Sequence, residues 1–225
     1  MLFEDRSAAG QLLAEKLATY ANHPDVLVLA LPRGGVPVAF EVAKALNVPL
    51  DVFLVRKLGV PGHEELAMGA LAKLPGTEFA GVQVLNDDVV RATSLSDKVI
   101  DQVVAKEQQE LERRERLYRD DRPLPRLRDR TVILVDDGLA TGATMRAAVM
   151  ALRQQQPARI IVAVPISSPR TCSQLKAEVD EIICVRTPQP FYSVGLWYNN
   201  FSQTTDAEVR DLLNQVERQQ VGTRE

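Results

Sequence analysis

Short apolar runs alternate with amphipathic stretches along most of this chain of 225 residues. A short, continuous apolar run bounded by turn-forming residues is typical of a strand that is buried on both faces of a parallel sheet. Apolar residues that recur at helical spacing are typical of a helix that packs one face on a core. Because the predicted strands alternate with predicted helices, we expect parallel β-α-β winding and an α/β fold.

The segments predicted to be strands are Val26–Leu31, Leu50–Val55, Val132–Val135, Ile160–Pro165 and Glu181–Arg186. The segments predicted to be helices are residues 7–21 with Ser7 as N-cap, Val36–Leu46, Ser96–Tyr118, Ala143–Gln155, Pro169–Ala177 and Asp206–Arg218, and Ser96–Tyr118 carries an apolar stripe. Arg56–Glu64 is predicted to be a loop, whereas Leu66–Leu74 and Glu78–Leu85 are predicted to pair around a Pro-Gly turn signal. The stripe on Ser96–Tyr118 would pack on the domain or on a second subunit, so it is compatible with a homodimer.

Residues 131–144, TVILVDDGLATGAT, combine a predicted strand with polar chemistry at its end. The apolar run leads directly into Asp136 and Asp137, and a loop of small residues then opens a helical pattern. Open α/β sheets bind ligands outside the carboxyl ends of their strands. Small residues let the backbone approach a ligand closely, and N–H groups at a helix start favour an anion. Two acids beside an anion cradle suit a ligand with hydroxyl groups, or a bound cation, next to a phosphate.

The stretch VDDGLATGAT resembles the phosphoribosyl diphosphate (PRPP) binding motif of type I phosphoribosyltransferases, in which an apolar strand, two acids and two variable residues precede a small-residue-rich loop that contains T-G-x-T. It is not a Walker loop, because no Lys follows the second Gly. The resemblance implies an α/β fold with a type I phosphoribosyltransferase-like parallel sheet flanked by helices, a helical insertion and a C-terminal hood. It implies a single domain over residues 1–225, with 86–125 as the mainly helical insertion and 187–204 as the candidate hood.

The stretch Leu31–Ala39, LPRGGVPVA, is a second strand–loop–helix signature. Consecutive backbone N–H groups together with Arg33 suit a diphosphate, because a guanidinium can bind two oxygens at once. A plain Gly-Pro turn with one exposed Arg is the alternative. In the family that the chain resembles, a diphosphate loop follows the first core strand and often contains a cis non-proline peptide. We therefore predict a cis peptide within Pro32–Gly35, at the bond that precedes Arg33.

The stretch RKLGVPGHEE, from Arg56 to Glu65, resembles the mobile loop that closes over the reaction in adenine-type phosphoribosyltransferases. Arg56 and Lys57 could neutralise a departing diphosphate, and the Gly and Pro residues would let the segment move as a lid. Either Glu64 or Glu65 could protonate, or hold a proton on, a nucleobase nitrogen, and Glu65 is our candidate. An ordinary surface loop is the alternative.

Aromatic residues are concentrated near the C-terminus, where two of the six Phe, two of the four Tyr and the only Trp fall within residues 191–201. Aromatic side chains could stack on a flat base while adjacent amides bind its edge. The candidates for this hood are Phe191, Tyr192, Trp197 and Tyr198. The alternative is that these aromatic residues cap a hydrophobic core.

The resemblance implies transfer of ribose 5-phosphate from PRPP to a nitrogenous base through an oxocarbenium-like transition state. Asp136 and Asp137 would hold the ribose hydroxyls, and Mg²⁺ would bind there mostly through substrate and water. The implied 5′-phosphate ligands are Ala140, Thr141, Gly142, Ala143 and Thr144, and the implied diphosphate ligands are Arg33, Gly34, Gly35 and Lys57. Ala140 replaces an Asp that serves the purine ring in 6-oxopurine enzymes. The loop is therefore nearer to the adenine and uracil types, and the acceptor stays open.

Composition narrows the class of protein. A net charge of −3 and a sequence pI of about 5.6 argue against a nucleic-acid partner. Cys172 and Cys184 form no C-x-x-C motif and predict reduced, buried thiols, and two His residues are too few for a His-based metal site. No apolar run approaches the roughly 18 residues of a membrane span, and the N-terminus does not resemble a secretion signal. We therefore expect a cytoplasmic protein with no membrane partner.

Other classes of protein share parts of this pattern. A plain strand–turn–helix with solvated acids needs no ligand, and phosphorelay receivers carry their acid pair near the chain start rather than beyond residue 130. A regulator that senses PRPP or a nucleotide on the same fold is the main alternative to an enzyme. A PRPP synthetase-like subunit would be longer, with paired domains. The lid-like RK-G-V-P-G stretch favours catalysis.

Overall fold

A computed structural model of the chain describes residues 2–72, 82–119 and 125–222. The strands are β1 (Val26–Ala30), β2 (Leu50–Val52), β3 (Val55–Val60), β4 (His63–Ala72), β5 (Val82–Leu85), β6 (Thr131–Val135), β7 (Arg159–Ile166) and β8 (Glu181–Arg186). The helices are α1 (Arg6–Lys16), α2 (Gly35–Leu46), α3 (Asp87–Thr93), α4 (Asp97–Arg119), α5 (Ala143–Arg153), α6 (Pro169–Leu175) and α7 (Asp206–Gly222). Within those described ranges, every helix is too short or too polar to cross a bilayer.

The chain divides into two compact units. The first unit comprises Met1–Val52, Asp129–Ala140 and Pro157–Glu225, and the second comprises Phe53–Arg128 and Thr141–Gln156. The prediction of a single domain, with 86–125 as an insertion and 187–204 as a hood, stays a prediction. Within the described part of residues 86–125, α3 and α4 supply the expected helices.

The first unit is built on a five-stranded parallel sheet in the order β2-β1-β6-β7-β8. Every residue of β1 is buried, as are all residues of β7 after Arg159. Strands covered on both faces need apolar side chains at successive positions, which is why these segments read as continuous apolar runs. Helices α1 and α2 pack on each other and on this sheet. The parallel sheet flanked by helices confirms the predicted α/β fold class.

One edge of this sheet collects the polar segments of the first unit. Because the five strands are parallel, their carboxyl ends lie on the same side. The segment Pro32–Gly35 follows β1, Asp136 and Asp137 follow β6, and Ser167 and Ser168 follow β7. In the register of β1 with β6, Ala30 is opposite Val135, so the first two segments begin side by side.

The second unit contains a three-stranded antiparallel sheet in the order β3-β4-β5, on which α5 packs. The pairing of β4 with β5 confirms the predicted strand pair, although its turn at residues 75–76 lies outside the described residues. Helix α4 also packs on β3 and β4, and it buries Ile100, Leu111 and Tyr118. Part of the predicted apolar stripe is therefore satisfied within this unit, and the homodimer stays a prediction.

The prediction of a loop over Arg56–Glu64 was wrong. Strands β3 and β4 form a hairpin in which Val60 is opposite His63, with Pro61 and Gly62 as the connecting pair. Gly62 has a φ of 81°, a conformation that a residue with a Cβ adopts at a cost. A Pro followed by a Gly with positive φ is the signature of a tight turn, so the same residues that suggested a lid connect two paired strands.

Two boundaries near the N-terminal part of the chain also differ from the prediction. Helix α1 begins one residue earlier than expected, and its N-cap is Asp5 rather than Ser7, because the Asp5 carboxylate accepts a hydrogen bond from the Ala8 N–H at 2.8 Å. The helix ends at Lys16, before a separate 3-10 turn. The strand predicted over Leu50–Val55 ends at Val52 in the first unit, and a new strand starts at Val55 in the second.

The two cysteines of the chain lie in α6 and β8 as half-buried free thiols. The Sγ atoms of Cys172 and Cys184 are 3.0 Å apart. Burial raises the pKa of the Cys184 thiol, and its hydrogen bond to Cys172 raises it further. Both thiols therefore face each other within the first unit.

Candidate active site

Two adjacent carboxyl groups occupy the carboxyl end of β6. The backbone N–H of Asp137 donates to Asp136 Oδ1 at 2.8 Å. Burial raises the pKa of Asp136 well above its usual value, and the neighbouring Asp137 carboxylate raises it further. Burial also raises the pKa of Asp137, but the Arg6 guanidinium opposes that shift. The pair thus lies in a poorly solvated position, where a nearby cation or a donating hydroxyl group would favour the ionised forms.

The loop after β1 packs directly against this acid pair. The peptide between Pro32 and Arg33 is cis, which confirms the prediction for that bond. A Cβ added to Gly34 would overlap Asp137 Oδ2, and one added to Gly35 would lie 2.7 Å from the Val135 carbonyl oxygen. Glycine at both positions is therefore what allows the two segments to touch. The structure brings Gly34, Gly35 and both acids together.

Arg33 leaves this cluster and turns towards the start of α7. Its Nη1 lies 3.7 Å from Asp206 Oδ1, and both side chains are 31% exposed. Such a half-exposed pair at this distance is a weak interaction, of at most about 1 kcal/mol. Arg33 is therefore held loosely at the edge of the sheet, where an anion could compete for its guanidinium.

Sequence analysis missed the most buried cation of the site, Arg6. Its Nε donates to Asp137 Oδ2 at 2.8 Å, and the two side chains are only 11% and 15% exposed. Arg6 is the first residue of α1, where the positive end of the helix dipole disfavours a cation. That unfavourable position was the available signal that the side chain is used for something other than helix formation.

The aromatic segment divides into buried and exposed side chains. Tyr198 is 5% exposed, and its hydroxyl donates to the Asp137 backbone carbonyl at 2.6 Å. Phe191 and Trp197 are half-buried and pack on a core cluster that includes Phe3 and Tyr198. Tyr192, in contrast, is 79% exposed. Of the four predicted hood residues, Tyr192 is the most accessible to a ligand, whereas Tyr198 holds the Asp137 main chain through its hydroxyl.

The start of the loop Ala140–Thr144 is held by the segment after β7. The Thr171 hydroxyl donates to the Ala140 carbonyl at 2.6 Å, and Ser168 N–H donates to the Leu139 carbonyl at 3.2 Å. Thr171 is 4% exposed and also accepts a hydrogen bond from the Ser168 hydroxyl at 2.8 Å. Helix α6 thus fixes the loop at Ala140 through one buried hydroxyl.

We expect Thr171→Val to lower the free energy of unfolding by about 1–3 kcal/mol, because at a similar side-chain volume it removes the donor to the Ala140 carbonyl and the acceptor for the Ser168 hydroxyl proton. Thr171→Ser keeps the hydroxyl and serves as the matched control. Urea unfolding followed by the fluorescence of Trp197 measures both variants. Equal midpoints for Val and Ser would show that the hydroxyl contributes nothing.

The remainder of the motif begins the second unit. Gly142 has a φ of 75° and precedes the first residue of α5. The Ala143 N–H donates weakly to the Thr141 hydroxyl at 3.4 Å, and Thr141 and Thr144 are exposed. A helix of eleven residues therefore starts immediately after a loop of small residues, as predicted. Its N-terminal amides favour an anion.

The cations and acids predicted in the lid lie on β3 and β4 of the second unit. Arg56 is committed to α4, because its Nε and Nη2 both lie 2.6 Å from Glu107 Oε2. Lys57 is the next residue of the strand and so points to the other face. The Glu64 carboxylate accepts from the Gly62 N–H at 3.1 Å, and the backbone N–H groups of Glu64 and Gly62 lower its pKa. That shift argues against Glu64 as a proton donor; Glu65 lies on β4, but its side chain is outside the described residues.

Comparisons of this chain with known proteins indicate one protein family. The family model for the phosphoribosyl transferase domain matches residues 6–193. A Mycobacterium tuberculosis (strain H37Rv) protein, provisionally named a phosphoribosyl transferase, is 46% identical over 217 residues, which is 96% of this chain. The match covers 47% of that protein, so the chain spans about half the length of the curated relatives it matches.

Solved structures agree on the fold. The crystal structure of TT1426 from Thermus thermophilus is 40% identical, with a TM-score of 0.81, and the match covers 96% of this chain and 99% of that chain. The structure of AQ2163 from Aquifex aeolicus is 12% identical with a TM-score of 0.50, covers 92% of this chain and 84% of that one, and shows a likeness of fold alone. With the family model matched over most of its length, this chain belongs to the phosphoribosyl transferase domain family.

Proposed function

We propose that this protein transfers ribose 5-phosphate from PRPP to a nitrogenous base and releases diphosphate. The observation that carries the proposal is the contact of the glycine loop with Asp136 and Asp137 at the carboxyl edge of the parallel sheet. A diphosphate loop beside two acids matches a substrate in which a diphosphate leaves a ribose that bears two hydroxyls. Family membership supports the same chemistry.

The acid pair is assigned to the ribose ring. Asp136 and Asp137 would accept hydrogen bonds from the 2′- and 3′-hydroxyls and favour the positive charge that grows on the ring as the diphosphate departs. The loop Pro32–Gly35 would take the departing diphosphate through its backbone N–H groups. Arg33 would contribute after exchanging its loose contact with Asp206 for the ligand.

The phosphate loop is assigned through its continuity with the acid pair in the chain. Ala140, Thr141, Gly142, Ala143 and Thr144 follow Asp137 after two residues and lead into the N-terminus of α5. Backbone amides at a helix start and two hydroxyls suit the 5′-phosphate. The roles of Lys57 and Glu65, and of the hood residues in holding the base, stay predictions.

The donor set fits Mg²⁺ that is held mostly by substrate and water. Asp136 and Asp137 supply hard oxygen donors, and one of them also carries an ion pair to Arg6. In the described part of the chain, no group of three or more His, Cys, Asp or Glu side chains could hold a metal ion by itself. When bound, Mg²⁺ would neutralise negative charge on the diphosphate.

The test is diphosphate release from PRPP with a panel of purine and pyrimidine bases, with and without Mg²⁺. We expect release with one base or a small group of related bases, and a loss of release when Mg²⁺ is removed by a chelator. Release with a single base would identify the acceptor and support a role in nucleotide salvage. Calorimetry with PRPP and Mg²⁺ runs in parallel. Absence of both binding and release would refute the proposal, whereas binding without release for any base would favour the PRPP-sensing alternative.

A further inference from the structure

We propose that Arg6 is a positioning residue, which orients the Asp137 carboxylate towards the ribose of PRPP. This inference rests on the proposed function, because it assigns a role at the same site. Arg6 Nε contacts Oδ2 of Asp137 at 2.8 Å, and the pair is almost fully removed from solvent. The residues are 131 positions apart in the sequence, so their contact is a product of the fold.

Three contacts fix the plane of the Arg6 guanidinium. Besides Asp137, its Nη1 donates to the Ser202 carbonyl at 2.7 Å. Its central carbon lies 4.0 Å from the centroid of the Phe201 ring, so the guanidinium stacks on that aromatic face. A planar guanidinium that stacks on a ring presents its N–H donors in one fixed orientation. The ammonium group of a Lys, on its flexible side chain, is not fixed in this way.

Asp137 is held at its main chain by the same cluster. The Tyr198 hydroxyl donates to the Asp137 carbonyl at 2.6 Å, and burial raises the pKa of Tyr198, so this hydroxyl keeps its proton. The Tyr198 ring lies 5.0 Å from the Phe201 ring on which Arg6 stacks. Backbone and side chain of Asp137 are therefore both fixed by groups that contact one another. A carboxylate fixed in this way loses little freedom when it binds a hydroxyl.

A gain in fold stability is a poor explanation for the buried pair of Arg6 and Asp137. Burying a salt bridge costs both ions their hydration, and an apolar pair of similar volume is often as stable or more stable. Arg6 also begins α1, where the helix dipole opposes its charge. Two unfavourable features at one residue are explained if the guanidinium serves the acid that it contacts.

Binding of PRPP with Mg²⁺, measured by calorimetry, tests the assignment without knowledge of the acceptor. We expect Arg6→Gln to weaken binding by about 10–100-fold, the usual loss when a partner that orients a ligand is removed. Arg6→Lys should recover part of the affinity, because it keeps the charge but lacks the fork. Arg6→Lys also carries the test if Arg6→Gln does not fold.

Arg159 provides the matched control within the same unit. Its Nη2 contacts Glu181 at 3.1 Å and its guanidinium lies 5.9 Å from the Tyr20 ring, so it has the same kinds of partner at the opposite, amino-terminal edge of the sheet. We expect Arg159→Gln to bind PRPP within about twofold of the wild type, since exposed pairs of this kind contribute little. An equal loss for both Gln variants would overturn the proposal.

A double-mutant cycle separates positioning from a general structural effect. If Arg6 acts through Asp137, Arg6→Gln should have little further effect on PRPP affinity in an Asp137→Asn background. The same fold-loss in both backgrounds would overturn the proposal. The proposed function fails separately, when the wild type itself does not bind PRPP; wild-type binding that Arg6→Gln leaves unchanged overturns only the role of Arg6.

Discussion

Replacing Asp136 and Asp137 together by Asn should lower the rate of diphosphate release from PRPP by about 10²–10³-fold or more. The reason is that each carboxylate would stabilise positive charge that exists only in the transition state, and the amides supply no negative charge to do so. The assay is diphosphate release with the base identified from the panel. Release by the double variant at the wild-type rate would exclude the acid pair from the reaction.

The melting temperatures of the single variants Asp136→Asn and Asp137→Asn should differ. Comparing them separates a loss of activity from a loss of folding. Because burial raises the pKa of Asp136, its ionised form is less stable in the folded protein than in the unfolded chain, and ionisation opposes folding as the pH rises above the usual Asp value. Asp136→Asn cannot ionise, so we expect its melting temperature to be no lower than that of the wild type. Asp137→Asn leaves the buried Arg6 without its charge partner and should melt at a lower temperature.

Gly35→Ala should lower the free energy of unfolding by about 1–3 kcal/mol, the usual range for overpacking a closely packed position. The added Cβ would lie 2.7 Å from the Val135 carbonyl oxygen and 2.9 Å from Asp136 Cα, and both belong to the backbone of a central strand segment that cannot yield. Urea unfolding followed by Trp197, the only Trp of the chain, reports on this unit.

Variants of Gly34 and Gly62 provide the comparison for Gly35→Ala. At Gly34 the obstacle is the Asp137 carboxylate rather than backbone, so Gly34→Ala should displace the acid and weaken PRPP binding. At Gly62 a Cβ would meet nothing within 4 Å, so the effect of Gly62→Ala comes from its φ of 81° alone. If Gly35→Ala unfolds at the wild-type urea concentration, the close approach of the two segments is not a constraint.

The parts of the fold that could be predicted from sequence are those encoded locally. The run Val132–Val135 followed by two acids predicts a strand and the polar segment at its carboxyl end. The loop of small residues before α5 can be predicted from the same stretch. The cis peptide before Arg33 followed from resemblance to a family rather than from any local rule. The hairpin was missed because a Pro-Gly pair occurs both in long loops and in tight turns between paired strands. Pro61 and Gly62 alone do not distinguish these two structures.

The parts of the site that could not be predicted depend on distant contacts. Arg6 has its partner 131 residues away, and nothing in its own neighbourhood names Asp137. The aromatic segment is conspicuous in the sequence, but composition alone does not distinguish Tyr198, whose hydroxyl is used inside the unit, from the exposed Tyr192. Exposure is a property of the folded chain, so the division between support and surface required the structure.

The contact between Arg6 and the Ser202 carbonyl limits when the surroundings of Asp137 can be completed during synthesis. The two residues are separated by 196 positions, so a ribosome makes Arg6 long before Ser202. Strand β6 and both acids emerge in between, before Tyr198, Phe201 and Ser202 exist. A nascent chain can therefore form much of the sheet while the surroundings of Asp137 are still incomplete. The proposed capacity to bind PRPP should therefore appear only after Ser202 has been made, later than the secondary structure that carries the acids.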